Sequence, residues 1–288
     1  MSLSFKPESI RWSAWQPLAG SSRNSNVPSA PGLYRVRVVE TGEVVYIGQT
    51  GVSLRRRLGM LCTCYGDEMP YRDPHTAAPT LWALRHRDGV EFEASTAVLD
   101  GDKVDRLALE AVAISAHRID HCRSPLANFG GRIAGYRLSS ANNAALVAAG
   151  RRFRGGPDAL GDGSDGVPVP GPLHGQVTAD DWLGLAWSAW APPDAVELPT
   201  GVGLYRIRQQ DSSELLYVGQ GRIRERIRSH LAKAAVEDHR QALHFSMPLD
   251  LSWVELELSK RPLLEVENDA IASHRLVAGV APLAQFLG

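Results

Sequence analysis

Residues 32–50 show the pattern of apolar and polar positions that is typical of two paired β-strands. GLYRVRVV at 32–39 alternates and is rich in strand-forming residues, and VVYIGQT at 44–50 does the same after the polar turn ETGE. A short polar turn between two such runs predicts a hairpin. From Ser53 the spacing becomes helical, because Leu54, Leu58 and Leu61 fall on one face. The pattern therefore predicts a hairpin followed by a helix.

Two further elements complete this series, and the whole series occurs twice. EFEASTAVL at 91–99 predicts a third strand, and residues 104–119 predict a second helix. The later part of the chain predicts the same order, with strands at 203–208, 215–219 and 251–258 and helices at 222–236 and 263–277. The expected fold class is α+β, with two domains that each contain a small antiparallel β-sheet flanked by helices.

Short identical or near-identical strings recur in the same order in both halves. WSAW occurs at 12–15 and 187–190, GLYRVR at 32–37 becomes GLYRIR at 203–208, and YIGQ becomes YVGQ. Twelve positions separate the two tyrosines of each hairpin, Tyr34 from Tyr46 and Tyr205 from Tyr217. The spacing of Glu110, His117 and Pro125 is that of Glu267, His274 and Pro282. These matches indicate an internal duplication.

Composition places the boundaries between the copies. The segment between them is dominated by Gly, Pro and Asp and has no periodic apolar pattern, which is typical of a flexible linker. We therefore predict a first domain at 1–150, a linker at 151–177 and a second domain at 178–288. The Ala-rich stretch at 139–149 is expected to be an extra helix of the first domain.

The overall composition narrows the class of protein. The chain is 44% hydrophobic and 22% charged, with a net charge of −1, which is ordinary for a globular protein and less basic than extensive wrapping of a nucleic acid requires. There is no run of 18 apolar residues and no apolar segment of the secretory type, so we expect no membrane partner. Three cysteines, an odd number, are typical of free thiols in a reducing cytoplasm.

Each copy contains the side chains that phosphoryl chemistry uses. Two tyrosines lie on neighbouring strands, an arginine follows in the first helix, and a glutamate lies on the last helix. A carboxylate binds a hard divalent cation, an arginine stabilises charge on a phosphate, and a phenol can act as a general base.

With these residues in place, the chain resembles the GIY-YIG nuclease superfamily over about 30–130 and 201–286. In the first copy Gly32-Leu33-Tyr34 and Tyr46-Ile47-Gly48 correspond to the two signature triplets. The resemblance implies that Tyr34 is the general base, that Tyr46 assists the attacking water, and that Arg57 stabilises the phosphate. It also implies that Glu110 is the metal ligand and that Asn128 is the asparagine of the family's last motif.

In the second copy the resemblance implies the same roles for equivalent residues, which are Tyr205, Tyr217, Arg226, His230 and Glu267. Each copy departs from the family pattern at one position. Gln285 stands where the family has asparagine, and Leu61 stands where it has the histidine. Because the first copy thus lacks an imidazole, we expect the second site to be at least as active as the first.

Other repeated residues have two interpretations. The tryptophans of WSAW could stack on bases or, as we favour, pack against the edge of each domain. His117 and His274 follow the glutamates by about 10 Å along the helix, too far to share a metal ion, and a structural role is favoured. Cys62 and Cys64 with His121 and Cys122 could form a zinc site, but the C-x-C pair lacks the usual two-residue spacing, and free thiols are favoured.

The sequence predicts an endonuclease that hydrolyses phosphodiester bonds of nucleic acid, DNA in the first place, with Mg²⁺ or Mn²⁺ as cofactor and Glu110 and Glu267 as ligands. The duplication favours a monomer that acts as a single-chain pseudo-dimer. Two alternatives stay open. The chain could bind nucleic acid or act as a scaffold with one or both sites inactive, or it could use the same pocket on a small molecule.

Overall fold

The structure is a computed structural model that describes residues 10–70, 75–136, 166–236 and 238–287. These residues form two compact units. The N-terminal unit contains 10–102 and 124–136, and the C-terminal unit contains 103–123 and the described residues from 166 onwards. One antiparallel sheet lies in each unit, accompanied by helices, and this confirms the α+β prediction. Within the described ranges, no helix is long and apolar enough to cross a membrane.

The N-terminal unit is built on a four-stranded sheet in the order β1-β4-β2-β3. Its strands are β1 (Gln16–Pro17), β2 (Gly32–Val38), β3 (Val44–Thr50) and β4 (Phe92–Val98). Strands β2 and β3 form the expected hairpin, and a register shift after Val36 brings Arg37 opposite Val44. Because side chains alternate along a strand, Tyr34 and Val36 project from the same face as Tyr46 and Gly48 of the partner strand.

Two helices complete this unit, and only the first follows from hydrophobic spacing. Helix α1 (Leu54–Leu61) is capped by Ser53, whose side chain accepts the N–H of Arg56. Its three leucines are fully buried, as their spacing predicts. Helix α2 (Ala78–Asp88) lies between the predicted first helix and the predicted third strand, where the hydrophobic spacing gave no element. Its first seven residues are all buried, so the sequence shows no amphipathic stripe.

The C-terminal unit has a three-stranded sheet in the order β6-β5-β7, formed by β5 (Val202–Gln209), β6 (Leu215–Arg222) and β7 (Leu249–Glu255). Its helices are α3 (Lys103–His121), α4 (Ile223–Ala232), the short α5 (Ala242–Phe245) and α6 (Lys260–Ala278). The β5–β6 hairpin repeats the register of the first copy, including a shift after Ile207. Helix α3 precedes this hairpin by about eighty residues in sequence, and yet it belongs to this unit.

Helices α3 and α6 are the equivalent last helices of the two copies, and they pack against each other. Equivalent residues meet where they cross, since the Asn268 amide donates to the Ala111 carbonyl at 3.1 Å. Arg118, which is fully buried, binds Asp269 at 3.0 Å and Glu265 at 3.2 Å. At the equivalent position Arg275 binds Asp105 at 2.8 Å, where both side chains are partly exposed. A buried ion-pair network therefore joins the two helices.

Residues 166–177, at the end of the predicted linker, are packed into this unit. Val169, Leu173 and Val177 belong to its apolar core. The guanidinium of Arg118 also donates to the carbonyls of Gly166 and Val167, at 3.2 and 3.0 Å. These contacts give the segment a fixed place although its composition is that of a linker. The predicted helix at 139–149 and linker residues 151–165 lie outside the described residues.

The repeated WSAW motif packs on the face of each sheet that is opposite the tyrosines. In the N-terminal unit the guanidinium of Arg35 lies 4.6 Å from the ring centroids of Trp12 and Trp15, and that of Arg37 lies 4.3 Å from Trp15. Cation–π contacts of this kind hold the segment on the sheet. The serine of the motif, Ser13, adds hydrogen bonds to strand β4 through its N–H, hydroxyl and carbonyl.

The C-terminal unit repeats this arrangement. Arg206 lies 4.4 and 4.5 Å from Trp187 and Trp190, Arg208 lies 4.4 Å from Trp190, and Ser188 bonds to strand β7 as Ser13 does to β4. The motif thus packs against one face of each sheet, where arginine guanidinium groups lie over its rings. The first strand of each hairpin contains two arginines at Arg-x-Arg spacing, and in the sequence this spacing is the sign of the contact with the tryptophans.

Candidate functional site

The C-terminal unit brings the two tyrosines of its hairpin together. Tyr205 is paired across the hairpin with Gly219, and Tyr217 lies two residues before that glycine on the same face. The two rings stack with centroids 6.2 Å apart. A Cβ on Gly219 would lie 2.3 Å from the Tyr205 hydroxyl oxygen, so no side chain fits there. The glycine of the motif is thus required because the phenol lies directly above it.

Helix α4 adds an imidazole and a guanidinium to this pair. His230 Nε2 lies 2.9 Å from the Tyr205 hydroxyl, and its ring centroid is 4.2 Å from that of Tyr217. Arg226, one turn earlier, is hydrogen-bonded to the Tyr205 phenol and is itself exposed. Burial raises the pKa of Tyr205, and the same cause raises that of Tyr217. Arg226 opposes both shifts, because a cation favours the phenolate.

The carboxylate of this group is Glu267 on helix α6. It lies near Arg226 and both tyrosines, and burial raises its pKa to about 7 although Arg226 acts in the opposite direction. Glu265, two residues earlier on the same helix, is instead fully buried against Arg118. The structure therefore places Glu267, and not Glu265, with the tyrosines.

A second layer of hydrogen bonds fixes the orientation of His230. Lys233 Nζ lies 3.2 Å from His230 Nδ1 and donates to Gln241 at 2.7 Å, and the Gln241 amide donates to the Ala284 carbonyl. An ammonium group can only donate, so Nδ1 accepts and the ring proton lies on Nε2. Burial, followed by Lys233 and Arg226, lowers the pKa of His230 to about 3. The neutral ring therefore donates its Nε2–H to the Tyr205 oxygen.

The N-terminal unit contains the equivalent phenols and guanidinium. Tyr34 is paired with Gly48, where a Cβ would lie 2.7 Å from the Tyr34 hydroxyl oxygen. The rings of Tyr34 and Tyr46 have centroids 5.9 Å apart, and Arg57 Nε lies 3.3 Å from the Tyr34 hydroxyl. The neighbouring arginine of α1, Arg55, is used otherwise, because it donates to the Val27 carbonyl. This identifies Arg57 as the arginine that reaches the tyrosines.

The expectation that the first copy lacks an imidazole is wrong. Leu61, at the position equivalent to the family histidine, is fully buried in the apolar core. His75, three residues before helix α2, takes its place, with Nε2 at 2.8 Å from the Tyr34 hydroxyl. Burial, followed by Arg57, lowers the pKa of His75 to about 3. The spacing of His75 from the tyrosines in sequence gave no sign of this contact. The expectation that the second site is at least as active as the first rested on a missing imidazole, and that reason no longer holds.

Asn128 and Gln285 are directed at the backbone of the second hairpin strand. The Asn128 side chain accepts the Ile47 N–H at 3.0 Å and donates to the Ile47 carbonyl at 2.8 Å. Gln285 accepts the Val218 N–H at 3.1 Å. Both amides thus hold the strand between its tyrosine and its glycine, which is a positioning role. Nothing in the sequence distinguished this role from phosphate contact.

Glu110 and the repeated histidines lie on the paired helices. Glu110 is partly buried on α3, which belongs to the C-terminal unit. His274 is buried, and its Nδ1 lies 3.0 Å from the Val280 carbonyl after the helix end. His117 packs against His121, with ring centroids 4.3 Å apart and ring planes tilted by 37°. The two repeated histidines therefore have packing roles. The three cysteines are unpaired thiols.

A single divalent cation fits the chemistry of Glu267. Among the described residues this carboxylate makes no hydrogen bond or ion pair, and burial raises its pKa although Arg226 lies nearby. Mg²⁺ characteristically uses one or two carboxylates and takes its other oxygens from water and phosphate. No cluster of three or more His, Cys, Asp or Glu suited to a metal ion occurs in the described part of the chain. Glu267 would thus be a solitary protein ligand.

Comparisons with known proteins found no match to this chain among protein-family models, curated proteins or solved structures.

Proposed function

We propose that the chain is a divalent-metal-dependent phosphodiesterase that acts on nucleic acid. The observation that supports this most directly is the group in the C-terminal unit, which combines two phenols, an imidazole, a guanidinium and a buried carboxylate. Each has a use in hydrolysis of a phosphodiester. The resemblance of both hairpins to the GIY-YIG superfamily supports the same reading.

The roles follow from the chemistry of the groups. Glu267 would hold the cation, which neutralises charge on the phosphate and favours ionisation of a bound water. Tyr205 would accept the proton of the attacking water, while Arg226 stabilises the charge that grows on the phosphate oxygens. Tyr217 lies beside Tyr205 and would orient that water. In the N-terminal unit, Tyr34, Tyr46 and Arg57 would have the same roles. Glu110, the equivalent of Glu267 in sequence, stays the predicted ligand of the first copy.

A cleavage assay tests this proposal. Purified protein is incubated with duplex, nicked, branched and single-stranded DNA and with RNA, with Mg²⁺, Mn²⁺ or EDTA. We expect metal-dependent cleavage of at least one substrate, DNA before RNA. Binding without cleavage would favour the scaffold alternative, and neither binding nor cleavage would favour a small-molecule substrate. Either result refutes the nuclease.

Matched glutamate variants identify the metal ligand. Glu267→Gln removes the charge at nearly constant volume, and we expect at least about a hundredfold loss of its site's rate. The control is Glu214→Gln, an exposed glutamate in the turn of the same hairpin, which should leave the rate unchanged. Because protonation of Glu267 competes with the cation, the half-saturating Mn²⁺ concentration should rise as the pH falls below about 7. Equal metal dependence at pH 6 and 8 would contradict this assignment.

The duplication suggests that each copy cuts one strand of a duplex. If so, Glu267→Ala and Glu110→Ala should each convert double-strand cleavage of a supercoiled plasmid into nicking, and the double variant should be inactive. Glu110→Ala is also expected to leave the thermal midpoint nearly unchanged. Complete double-strand cleavage by Glu267→Ala would show that the second copy contributes no chemistry.

A further inference from the structure

His75 reaches the Tyr34 phenol from the segment before helix α2, whereas His230 reaches Tyr205 from helix α4. Its ring is fully buried, and its Nε2 lies 2.8 Å from the phenol oxygen. The N–H of Ala77 donates to its Nδ1 at 3.1 Å. A backbone N–H can only donate, so Nδ1 must accept and the proton of the neutral ring lies on Nε2. The direction of the hydrogen bond is thereby fixed from His75 to Tyr34.

The phenol oxygen of Tyr34 receives a second donor from helix α1. Arg57 Nε donates to the same oxygen at 3.3 Å. Two N–H groups therefore converge on an oxygen that would carry negative charge as a phenolate, and hydrogen bonds to the charged form favour that form. They also fix the position of the oxygen, since it lies between a helix and the segment before α2. Tyr46 packs edge-on against the same imidazole, with its ring centroid 5.4 Å from that of His75.

In the C-terminal unit the hydrogen bond between imidazole and phenol has the same direction, but its residues come from different elements of the chain. His230 comes from helix α4, and Lys233, not a backbone N–H, donates to its Nδ1. In both units a neutral imidazole and an arginine direct their N–H groups at the first tyrosine of the hairpin. The shared hydrogen-bond pattern, reached from non-equivalent positions, indicates that the phenol needs this donor.

We propose that His75 is a positioning residue for Tyr34, and that it supplies from the segment before α2 the imidazole that His230 gives to Tyr205. His75 acts through the phenol oxygen and does not contact substrate. Its effect on rate rests on the proposed nuclease function, whereas its hydrogen bond to Tyr34 does not.

The rate test uses the Glu267→Ala background, in which the remaining cleavage comes from the first copy. His75→Leu removes the N–H donor, and we expect kcat to fall about tenfold to a hundredfold with KM unchanged, since a hydrogen bond to a charged group is lost. His75→Gln keeps an N–H donor and should recover most of that loss. His86→Leu, a matched control at an exposed histidine of α2, should have no effect.

A double-mutant cycle distinguishes positioning from a purely structural role. If His75 acts through the Tyr34 oxygen, His75→Leu should cause no further loss in a Tyr34→Phe background. Additive losses, an unchanged kcat in His75→Leu, or failure of His75→Gln to recover activity while the variant stays folded would each overturn the proposal.

A second measurement does not require activity. In protein labelled with ¹⁵N in its histidine rings, the His75 signal, assigned from its loss in His75→Gln, should be that of a neutral ring with its proton on Nε2. The Nε2–H signal should shift in Tyr34→Phe and should not shift in Tyr136→Phe. An Nδ1–H ring, or an Nε2–H signal unaffected by Tyr34→Phe, would overturn the proposal. If the wild-type protein cleaves nothing, the nuclease function fails, and this measurement alone decides the role of His75.

Discussion

The tyrosine groups of the two units have the same hydrogen-bond pattern and different chemical surroundings. In the C-terminal unit His230 is held by Lys233, and the phenol is grouped with Glu267. In the N-terminal unit His75 is held by a backbone N–H, and Asn128 fixes both polar groups of Ile47, where Gln285 accepts only one N–H from Val218. Positions that the hairpin register sets are the same in the two copies, whereas the imidazole comes from helix α4 in one copy and from the segment before α2 in the other.

The comparison teaches that two copies of a site can contain the same chemical groups although one of these groups comes from a different segment of the chain in each copy. Tyr34 and Tyr205 must face glycines across a hairpin, which leaves their positions no freedom. The imidazole needs only to reach the phenol oxygen, and a helix or a loop can deliver it. Equivalence in sequence therefore predicts equivalence in structure well for the tyrosines and poorly for the histidines.

The largest difference between equivalent residues is expected at the paired helices. Arg118→Ala would remove the cation of the buried Asp269 and one of the cations of Glu265, which Arg261 also contacts at 3.5 Å, and should cost about 3–5 kcal/mol of unfolding free energy. Arg275→Ala removes a partly exposed pair with Asp105 and should cost at most about 1 kcal/mol. Urea unfolding of both variants at pH 7 measures the difference. Equal losses would show that Arg118 is not the centre of the helix contact.

The next comparison concerns the glycines beneath the phenols. A Cβ would come within 2.3 Å of the Tyr205 oxygen at Gly219 and within 2.7 Å of the Tyr34 oxygen at Gly48. We therefore expect Gly219→Ala to cost about 3 kcal/mol and Gly48→Ala about 1 kcal/mol, with loss of cleavage by the affected site in each. Thermal unfolding and nicking assays check this, with Gly42→Ala as a control for glycine with an open Cβ position but a positive φ. A Gly219 variant as active as wild type would contradict the close approach.

A smaller difference is expected between the two amides that hold the hairpin strand. Asn128→Ala leaves both the N–H and the carbonyl of Ile47 without their partner and should cost about 2 kcal/mol. Gln285→Ala removes one hydrogen bond and should cost about 1 kcal/mol. Hydrogen exchange at Ile47 and Val218 gives a local measurement of each loss. Faster exchange at Val218 in Gln285→Ala than at Ile47 in Asn128→Ala would reverse the order.

The smallest effect is on the pH dependence of stability. The pKa of His75 is lowered to about 3, so below the ordinary value of 6.5 the unfolded chain binds a proton that the folded chain does not. Stability should therefore be complete above pH 6.5 and fall as the pH decreases towards 3, by about 1 kcal/mol between pH 6.5 and 5.5 for this group. His75→Gln should show a shallower decline in urea unfolding at these pH values. His230→Gln should change the slope in the same direction, because the pKa of His230 is also lowered to about 3. A steeper decline in either variant would contradict the buried neutral ring.

Local pattern predicts much of this fold, because its information lies within a few residues. Alternation defined the hairpins, the leucines of α1 gave its buried face, and Ser53 supplied the N-cap that the helix start requires. The repeated strings fixed the positions of the tyrosines, of Gly48 and of Gly219, since a hairpin register is set by its own strands. Helix α2 was not predicted, because the residues of its first two turns are buried on all sides and their sequence shows no helical period of apolar and polar positions.

By itself, the sequence determined the hairpins, the third strand of each copy and helices α1, α3, α4 and α6, which tyrosines face glycines, and that the series occurs twice. Only the tertiary structure decided that His75 replaces the missing imidazole, that α3 packs with α6, and that residues 166–177 join a core. The physical reason is the range of the interactions. Strand alternation and helix caps depend on residues that are close in sequence. The hydrogen bond of His75 to Tyr34 joins residues 41 positions apart, and the ion pair of Arg118 with Asp269 joins residues 151 positions apart. Such contacts form only when the rest of the chain has packed.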